Sequence, residues 1–436
     1  MATDHPNSSK TIKVNYLTRV EGEGGLYVRT EDGNVREVKL DIFEPPRFFE
    51  AFLRGRHFQE VPDITARICG ICPVAYQMSA VHALEAALGV TPGPEIRMLR
   101  RLLYCAEWIE SHALHIYLLQ APDFLGYESA VSLARDHPRE VERGLRLKKI
   151  GNQLLEILGG RATHPVSVCV GGFYKVPRRK ALEELRGELL WGLEAAQETL
   201  KWVSTFSFPS FTADYEFVSV SHPEEYPMNE RRVVSSAGLD IDPAEFEQVF
   251  LEEHMAHSTA LHSVRADRET SYLVGPLARI NLNFAKLSPQ AQAAARSCGV
   301  AWPCRNPFMG IVARAVELVH AYEEALTILE TYQEPAASRV EFKVRAGEGC
   351  AATEAPRGTL YHRYRINDQG LVEAAKIVPP TSQNLRRMED DLRALLPGVL
   401  NRSEAAIVQV CENLIRCYDP CISCSTHFLK LRIDRG

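Results

Sequence analysis

The chain has 436 residues, enough for one large domain or two to three ordinary ones. Hydrophobic residues make up 45% and charged residues 24%, as in soluble globular proteins, and the net charge of −6 excludes a strong general attraction to nucleic acid or to an anionic membrane. No apolar run approaches the length that spans a bilayer, and the polar "MATDHPNSSK" lacks the apolar core of a secretory signal, so a cytoplasmic protein is expected.

The first fifty residues read as strands: "TIKVNYL", "GGLYVRT" and "VREVKLDIF" alternate apolar and polar, with "EDGN" as a turn between the last two. From about residue 48 the pattern turns helical. "PVAYQMSAVHALEAAL" (73–88) has apolar residues at helical spacing, and Gly89 is placed to stop it. Further helices are expected over 95–120, 143–160, 181–206, 310–332 and 404–418. Residues 207–245 read as an irregular, proline-containing surface excursion, and strands return as "VEFKV", "GTLYHRYRI" and "LVEAAKIV". The expected fold is mainly α with small β regions, an α+β body built on long helices. Its divisions are a β region at about 11–45, a helical body at about 48–335, a β region at about 338–380, and a C-terminal helix with a motif at about 385–427.

Eleven cysteines, an odd number without an export signal, argue against a disulfide scaffold. Cys105, Cys169, Cys298, Cys304, Cys350, Cys411 and Cys417 form no Cys-x-x-Cys pair and read as small buried apolar residues. The other four form two pairs at opposite ends of the chain, Cys69 with Cys72 in "RICGICP" and Cys421 with Cys424 in "DPCISCSTH". A Cys-x-x-Cys turn lets two thiolates face one ion, and thiolate suits zinc, iron, nickel or copper(I) rather than magnesium or calcium. Three readings compete: a structural zinc site, a thioredoxin-like redox pair, and a metal centre buried between the two ends of the chain. Zinc staples usually close short segments, and a redox pair needs only one such turn.

The residues around the pairs resemble those of the large, catalytic subunit of nickel–iron hydrogenases. The family's Arg-x-Cys-Gly-x-Cys stands here as Arg67, Cys69, Gly70 and Cys72, and its Asp-Pro-Cys-x-x-Cys-x-x-His as Asp419, Pro420, Cys421, Cys424 and His427. Between them, in family order and over almost the whole chain, lie "TRVEGEG" (18–24), "RFFEAFLRGR" (47–56), "ESHALH" (110–115), "GGRATHP" (159–165), "TEAPRG" (353–358) and "VPPTSQN" (378–384). The resemblance implies that nickel is held by all four thiolates, that Cys72 and Cys424 also bridge to iron, and that the iron carries carbon monoxide and cyanide. It implies a positive partner in Arg357, a hydroxyl donor to cyanide in Thr381, and apolar walls from Pro380 and Leu360. It implies Cys421 as first proton acceptor and Glu21 as the next; a carboxylate suits that relay because burial can raise its pKa toward working pH. The bottom-up alternative for Glu21 is an ion pair with Arg19, and that for Arg357 a structural arginine at a turn. Glu23 is the weaker relay candidate and is expected to be exposed. Glu50, the Ile377 carbonyl and His427 are implied to hold magnesium or a similar cation.

The other histidines are given no metal role. His254 and His257, spaced i, i+3 on an expected helix, read as structural, while His112, His115 and His164 lie in family-like stretches and are expected to support the site. One position departs from the family: Tyr76 stands where many members have a histidine, which bears on hydrogen bonding to a cysteine sulfur. No cysteine array remains for an iron–sulfur cluster, so a small iron–sulfur partner subunit is implied. No nucleotide-binding glycine fingerprint is visible, so NAD(P) chemistry would reside in flavin-containing diaphorase-type subunits. The family's maturation endopeptidase cuts after the motif histidine, which here would remove 428–436. The nearest resemblance is to the cytosolic NAD(P)-linked and sulfhydrogenase types. Deazaflavin-linked members, hydrogen sensors and complex I-like subunits are the alternatives, the last opposed by the presence of all four cysteines.

Overall fold

A computed structural model describes residues 9–45 and 48–426 of the chain. The alternating N-terminal stretches pair as an antiparallel sheet of Ser9–Val14, Gly24–Glu31 and Asn34–Ile42. Its register puts Ile12, Val28 and Val38 in one cross-strand row, and all three are buried.

The helical body is organised by four long helices, Pro94–Leu114, Pro138–Gly159, Arg186–Val203 and Gly310–Thr331, which pack on one another. Leu99, Leu102, Leu103, Ile109, Ile311, Val312 and Leu318 are fully buried between them. Each such side chain contributes roughly 1.5–3 kcal/mol by leaving water. The first of the four departs from α geometry at its end, winding as a π-helix over His115–Gln120. The stretch 181–206 splits into Arg179–Glu183 and Arg186–Val203.

Helix Pro73–Leu88 ends at Gly89, whose φ of 68° lets its N–H reach back to the last turn. It lies on a second antiparallel sheet, Gly347–Ala355, Gly358–Ile366 and Val372–Val378. The first strand of that sheet is "GEGCAATEA", not "VEFKV" as expected. Val340 and Val344 are exposed and the segment sets only Phe342 on the core, whereas the small residues of 347–355 let the helix approach, with Ser79 Oγ 2.7 Å from Thr353 Oγ1.

Residues 207–245 are not a surface excursion. Val218–Ser221, Arg232–Ser235 and Asp240–Ile241 form a sheet whose Val218, Val220 and Val233 are buried in a separate core with Phe246, Phe250, Tyr272 and Tyr361. His254 and His257 are not on a helix: His254 ends strand Phe250–His254, and His257 lies in the turn to strand Leu261–Arg265. The C-terminal part holds two helices, Pro380–Leu395 and Glu404–Cys417, then the short helix Ile422–Ser425. Among the described residues no helix is long and apolar enough to cross a membrane.

Candidate metal centre

The first cysteine pair occupies the turn between helix Val61–Ala66 and helix Pro73–Leu88, with Cys72 directly before the second helix. That helix carries no side-chain cap of its own. Glu107, fully buried on helix Pro94–Leu114, caps it from outside, accepting the N–H groups of Val74 at 2.6 Å and Ala75 at 3.1 Å. Burial pushes the Glu107 pKa well up against those two contacts. On the other side His164 Nδ1 lies 2.8 Å from the carbonyl of Ala66.

The second pair follows helix Glu404–Cys417 through a turn in which Asp419 takes a φ of 52°. Buried arginines fix this turn. Arg314 Nη1 donates to the Cys417 carbonyl at 3.0 Å, and Arg416 donates to both oxygens of Asp123 and, at 2.8 Å, to the Thr18 carbonyl. Arg19 also pairs with Asp123, so it is not the partner of Glu21. His115 Nε2 lies 2.8 Å from the Arg416 carbonyl. These contacts bring the loop carrying Glu21 against the C-terminal motif.

The four sulfurs meet. Cys69 Sγ is 3.6 Å from Cys421 Sγ, Cys421 Sγ is 2.6 Å from Cys424 Sγ, and the sulfurs of Cys69, Cys72 and Cys424 lie within 4.8 Å of one another. All four residues are at most 5% exposed. Thiolates around one ion at about 2.3 Å stand about 3.7 Å apart, so the Cys69–Cys421 spacing is that of two ligands on a shared centre. At Cys421 and Cys424 burial leads in holding the thiols well above their usual pKa. At Cys69 burial also opposes ionisation, yet the neighbouring cysteines and Arg357 bring it well below. Four thiolates therefore require cationic metal, and the soft donor set fits nickel with iron.

Arg357 stands beside this cluster, 2% exposed, with Nε on the Asp419 carbonyl at 2.8 Å and Nη2 on the Asp419 carboxylate at 3.2 Å. Its Nη1 is buried without a hydrogen-bond partner. Burial works against its charge, but Asp419, Cys421, Cys72 and Cys69 together hold its pKa well above the usual value. The turn bearing it is gripped by Arg279, whose donors are all engaged. Nε and Nη2 hold Glu317 at 2.7 Å each, Nη1 holds Glu354 at 2.9 Å and the Ala355 carbonyl at 2.7 Å, and Nη2 reaches the Pro356 carbonyl at 2.9 Å. His112 Nε2 meets the same Glu317 at 2.9 Å. The sequence reading missed Arg279 and Glu317; the available signal was a charge in the apolar runs "GPLARINLN" and "ARAVELVHAY".

Glu21 accepts from the Cys421 thiol at 3.0 Å and from the Ser423 N–H at 3.1 Å, while the Ile422 N–H donates to the Glu21 carbonyl at 2.8 Å. Ser423 Oγ donates in turn to Glu44 at 2.6 Å. Glu44 and Ser423 were also missed from the sequence. Gly22 makes the approach possible: at φ 88°, a Cβ there would stand 2.6 Å from Glu44 and 2.8 Å from Ser423 N. Glu23 is exposed, as expected.

Thr381 Oγ1 accepts the Cys421 N–H at 3.0 Å, which leaves the hydroxyl proton free to donate elsewhere. Pro380 opens helix Pro380–Leu395 and is buried, and Leu360, on strand Gly358–Ile366, is fully buried. Tyr76, 1% exposed on helix Pro73–Leu88, has a hydroxyl with no hydrogen-bond partner, and burial, followed by the cysteine sulfurs, pushes its pKa well up. Glu50 accepts the Ile377 N–H at 2.8 Å, so these two residues are brought together; His427 lies outside the described residues. Of the solitary cysteines, Cys105, Cys169, Cys304, Cys411 and Cys417 are buried, and Cys298 and Cys350 partly so.

The fold is that of the nickel-dependent hydrogenases: the family's characteristic sequence pattern matches residues 47–145 and 264–427, and the chain belongs to that family. It is 34% identical to sulfhydrogenase 1 subunit alpha of Pyrococcus furiosus over 96% of this chain and 98% of that one. It is 27% identical to the NAD-reducing hydrogenase HoxS subunit beta of Cupriavidus necator over 97% of this chain and 95% of that one. A solved NAD+-reducing [NiFe]-hydrogenase in the H2-reduced state superposes with a TM-score of 0.86 at 25% identity, covering 97% of this chain and 100% of the other. The protein is therefore an oxidoreductase that acts on dihydrogen.

Proposed function

We propose that this chain is the catalytic subunit of a cytosolic nickel–iron hydrogenase that interconverts dihydrogen with two protons and two electrons, the electrons passing through a small iron–sulfur subunit to NAD(P). The observation that carries this reading is the Cys421–Glu21 contact of 3.0 Å at the edge of four converging thiols. A purely structural four-cysteine site has no use for a carboxylate on one ligand sulfur.

Cys69, Cys72, Cys421 and Cys424 would hold the nickel, with Cys72 and Cys424 shared with an iron that carries carbon monoxide and cyanide. When bound, that centre supplies the polarising, electron-accepting chemistry for dihydrogen. The protein's own groups handle the proton. Cys421 Sγ accepts it and hands it to Glu21 Oε2; Ser423, which donates its N–H to Glu21 and its hydroxyl to Glu44, links the two carboxylates toward the half-exposed Glu44. Arg357 offsets thiolate charge with a fixed guanidinium whose Nη1 is uncommitted. Thr381 accepts the Cys421 N–H, which leaves its own proton to donate to a cyanide, and the buried Pro380 and Leu360 would wall the pocket around it. Glu50, the Ile377 carbonyl and His427 would hold magnesium or a similar cation.

The NAD-reducing relatives support the NAD(P) linkage and, with it, flavin-containing diaphorase-type partners. A maturation endopeptidase acting after His427 would remove 428–436. The test is metal analysis of the purified complex with hydrogen-dependent reduction of NAD(P). About one nickel with iron per chain is expected; zinc alone, or a nickel-loaded complex that reduces no acceptor under dihydrogen, would refute the assignment.

A further inference from the structure

A second cluster of metal-ligating side chains lies away from the cysteines, where the turn before strand Leu261–Arg265 meets helix Pro380–Leu395. His257 Nε2 is 2.9 Å from one oxygen of Glu389, and His262 Nδ1 is 3.9 Å from the other. One ligating atom from each of the three residues falls within 4.8 Å of the others, and the two rings stand nearly perpendicular at 85° with centroids 5.8 Å apart. Three ligands on a tetrahedral ion with bonds of about 2.0–2.1 Å are spaced by roughly 3.3 Å, and the two separations, one to each Glu389 oxygen, lie on either side of that value.

A hydrogen bond accounts for His257 but not for His262. That residue is fully buried, and neither of its ring nitrogens has a hydrogen-bond partner. Both nitrogens of a buried imidazole left unsatisfied is a costly arrangement that a metal bond would relieve. Glu389 is fixed from outside the cluster by the Leu40 N–H at 2.9 Å, as a ligating carboxylate commonly is.

We propose that His257, His262 and Glu389 hold a divalent ion of the zinc class, with a fourth position open to water. Two imidazoles favour zinc or a neighbouring transition metal over magnesium or calcium. The ion staples three remote elements: the N-terminal sheet through Leu40, the hairpin turn, and helix Pro380–Leu395. Between the two histidines, Thr259 Oγ1 donates to the Glu44 carbonyl at 2.7 Å and Ala260 pairs with Thr426, so the staple also fixes the turn against which the C-terminal motif rests.

The complete hydrogenase complex, produced with zinc in the medium, would be subjected to metal counting and zinc-edge X-ray absorption. One zinc per chain surrounded only by nitrogen and oxygen is expected. His257→Ala, at a half-buried position, should keep its nickel and lose at least nine-tenths of that zinc. Three results would each overturn the proposal: no zinc above background in the wild-type complex, zinc surrounded by sulfur as in a mis-metallated cysteine centre, or zinc retained in His257→Ala.

Discussion

In the proposed function Glu21 and Arg357 act through single atoms, and each can be tested by a change that keeps its shape. Glu21→Gln keeps an oxygen for the Ser423 N–H but cannot accept and release a proton. Hydrogen oxidation is expected to fall by about 10²-fold or more with nickel content unchanged, and Glu21→Asp to recover part of it. Equal loss in Gln and Asp variants, measured by dye reduction, would instead mark a packing role. Arg357→Lys keeps the charge but gives up the fork that holds Asp419 and places Nη1. A fall of about 10²-fold in turnover at full metal occupancy is expected. At this scale the sequence was most readable where residues sit inside a motif, as with the four cysteines, Glu21, Arg357 and Thr381. It was silent on Glu44 and Ser423, because their value lies in a contact between chain ends that no local pattern records.

Arg279 makes the turn Ala355–Gly358 a rigid mount rather than a loop. Arg279→Met would leave Glu317 and Glu354 buried without their cation, a loss of roughly 3–5 kcal/mol, visible as a lower melting temperature of the complex. Turnover should fall beyond what that instability explains, because Arg357 loses its fixed position; unchanged turnover in the surviving folded fraction would show that the turn holds itself. Elements were legible where one face alternates or repeats at helical spacing, as in the N-terminal sheet and helix Pro73–Leu88. They were illegible where tertiary packing overrules propensity. Strand Gly347–Ala355 is rich in glycine and alanine because a helix lies across it, while the more strand-like "VEFKV" sets only Phe342 on the core and leaves Val340 and Val344 exposed. The sheet Val218–Ile241 was illegible because its strands are two to four residues long and the first two are separated by a loop with Pro223 and Pro227.

Across the whole molecule, burial keeps several histidines neutral, His112 and His320 at a pKa of about 4 and His362 at about 3. Their pKa in the unfolded chain is about 6.5. Between those values the unfolded chain binds more protons than the fold does, so stability is full above about pH 6.5 and falls as the pH drops. Each histidine should cost roughly 2 kcal/mol by pH 5. Thermal unfolding of the complex should show a plateau above pH 7 and a steep decline toward pH 5; an unchanged melting temperature over that interval would mean that these rings already accept protons in the fold. The α+β architecture was readable as a class, whereas the closing of one end of the chain onto the other was readable only through the paired motifs. That closure has a bearing on biosynthesis. Of the four converging cysteines, a ribosome releases Cys421 and Cys424 long after Cys69 and Cys72 have emerged. The nascent protein can thus hold at most half a nest of sulfur until residue 424 has been made, and any machinery that delivers metal must either wait for that second pair or work on an unfinished cradle.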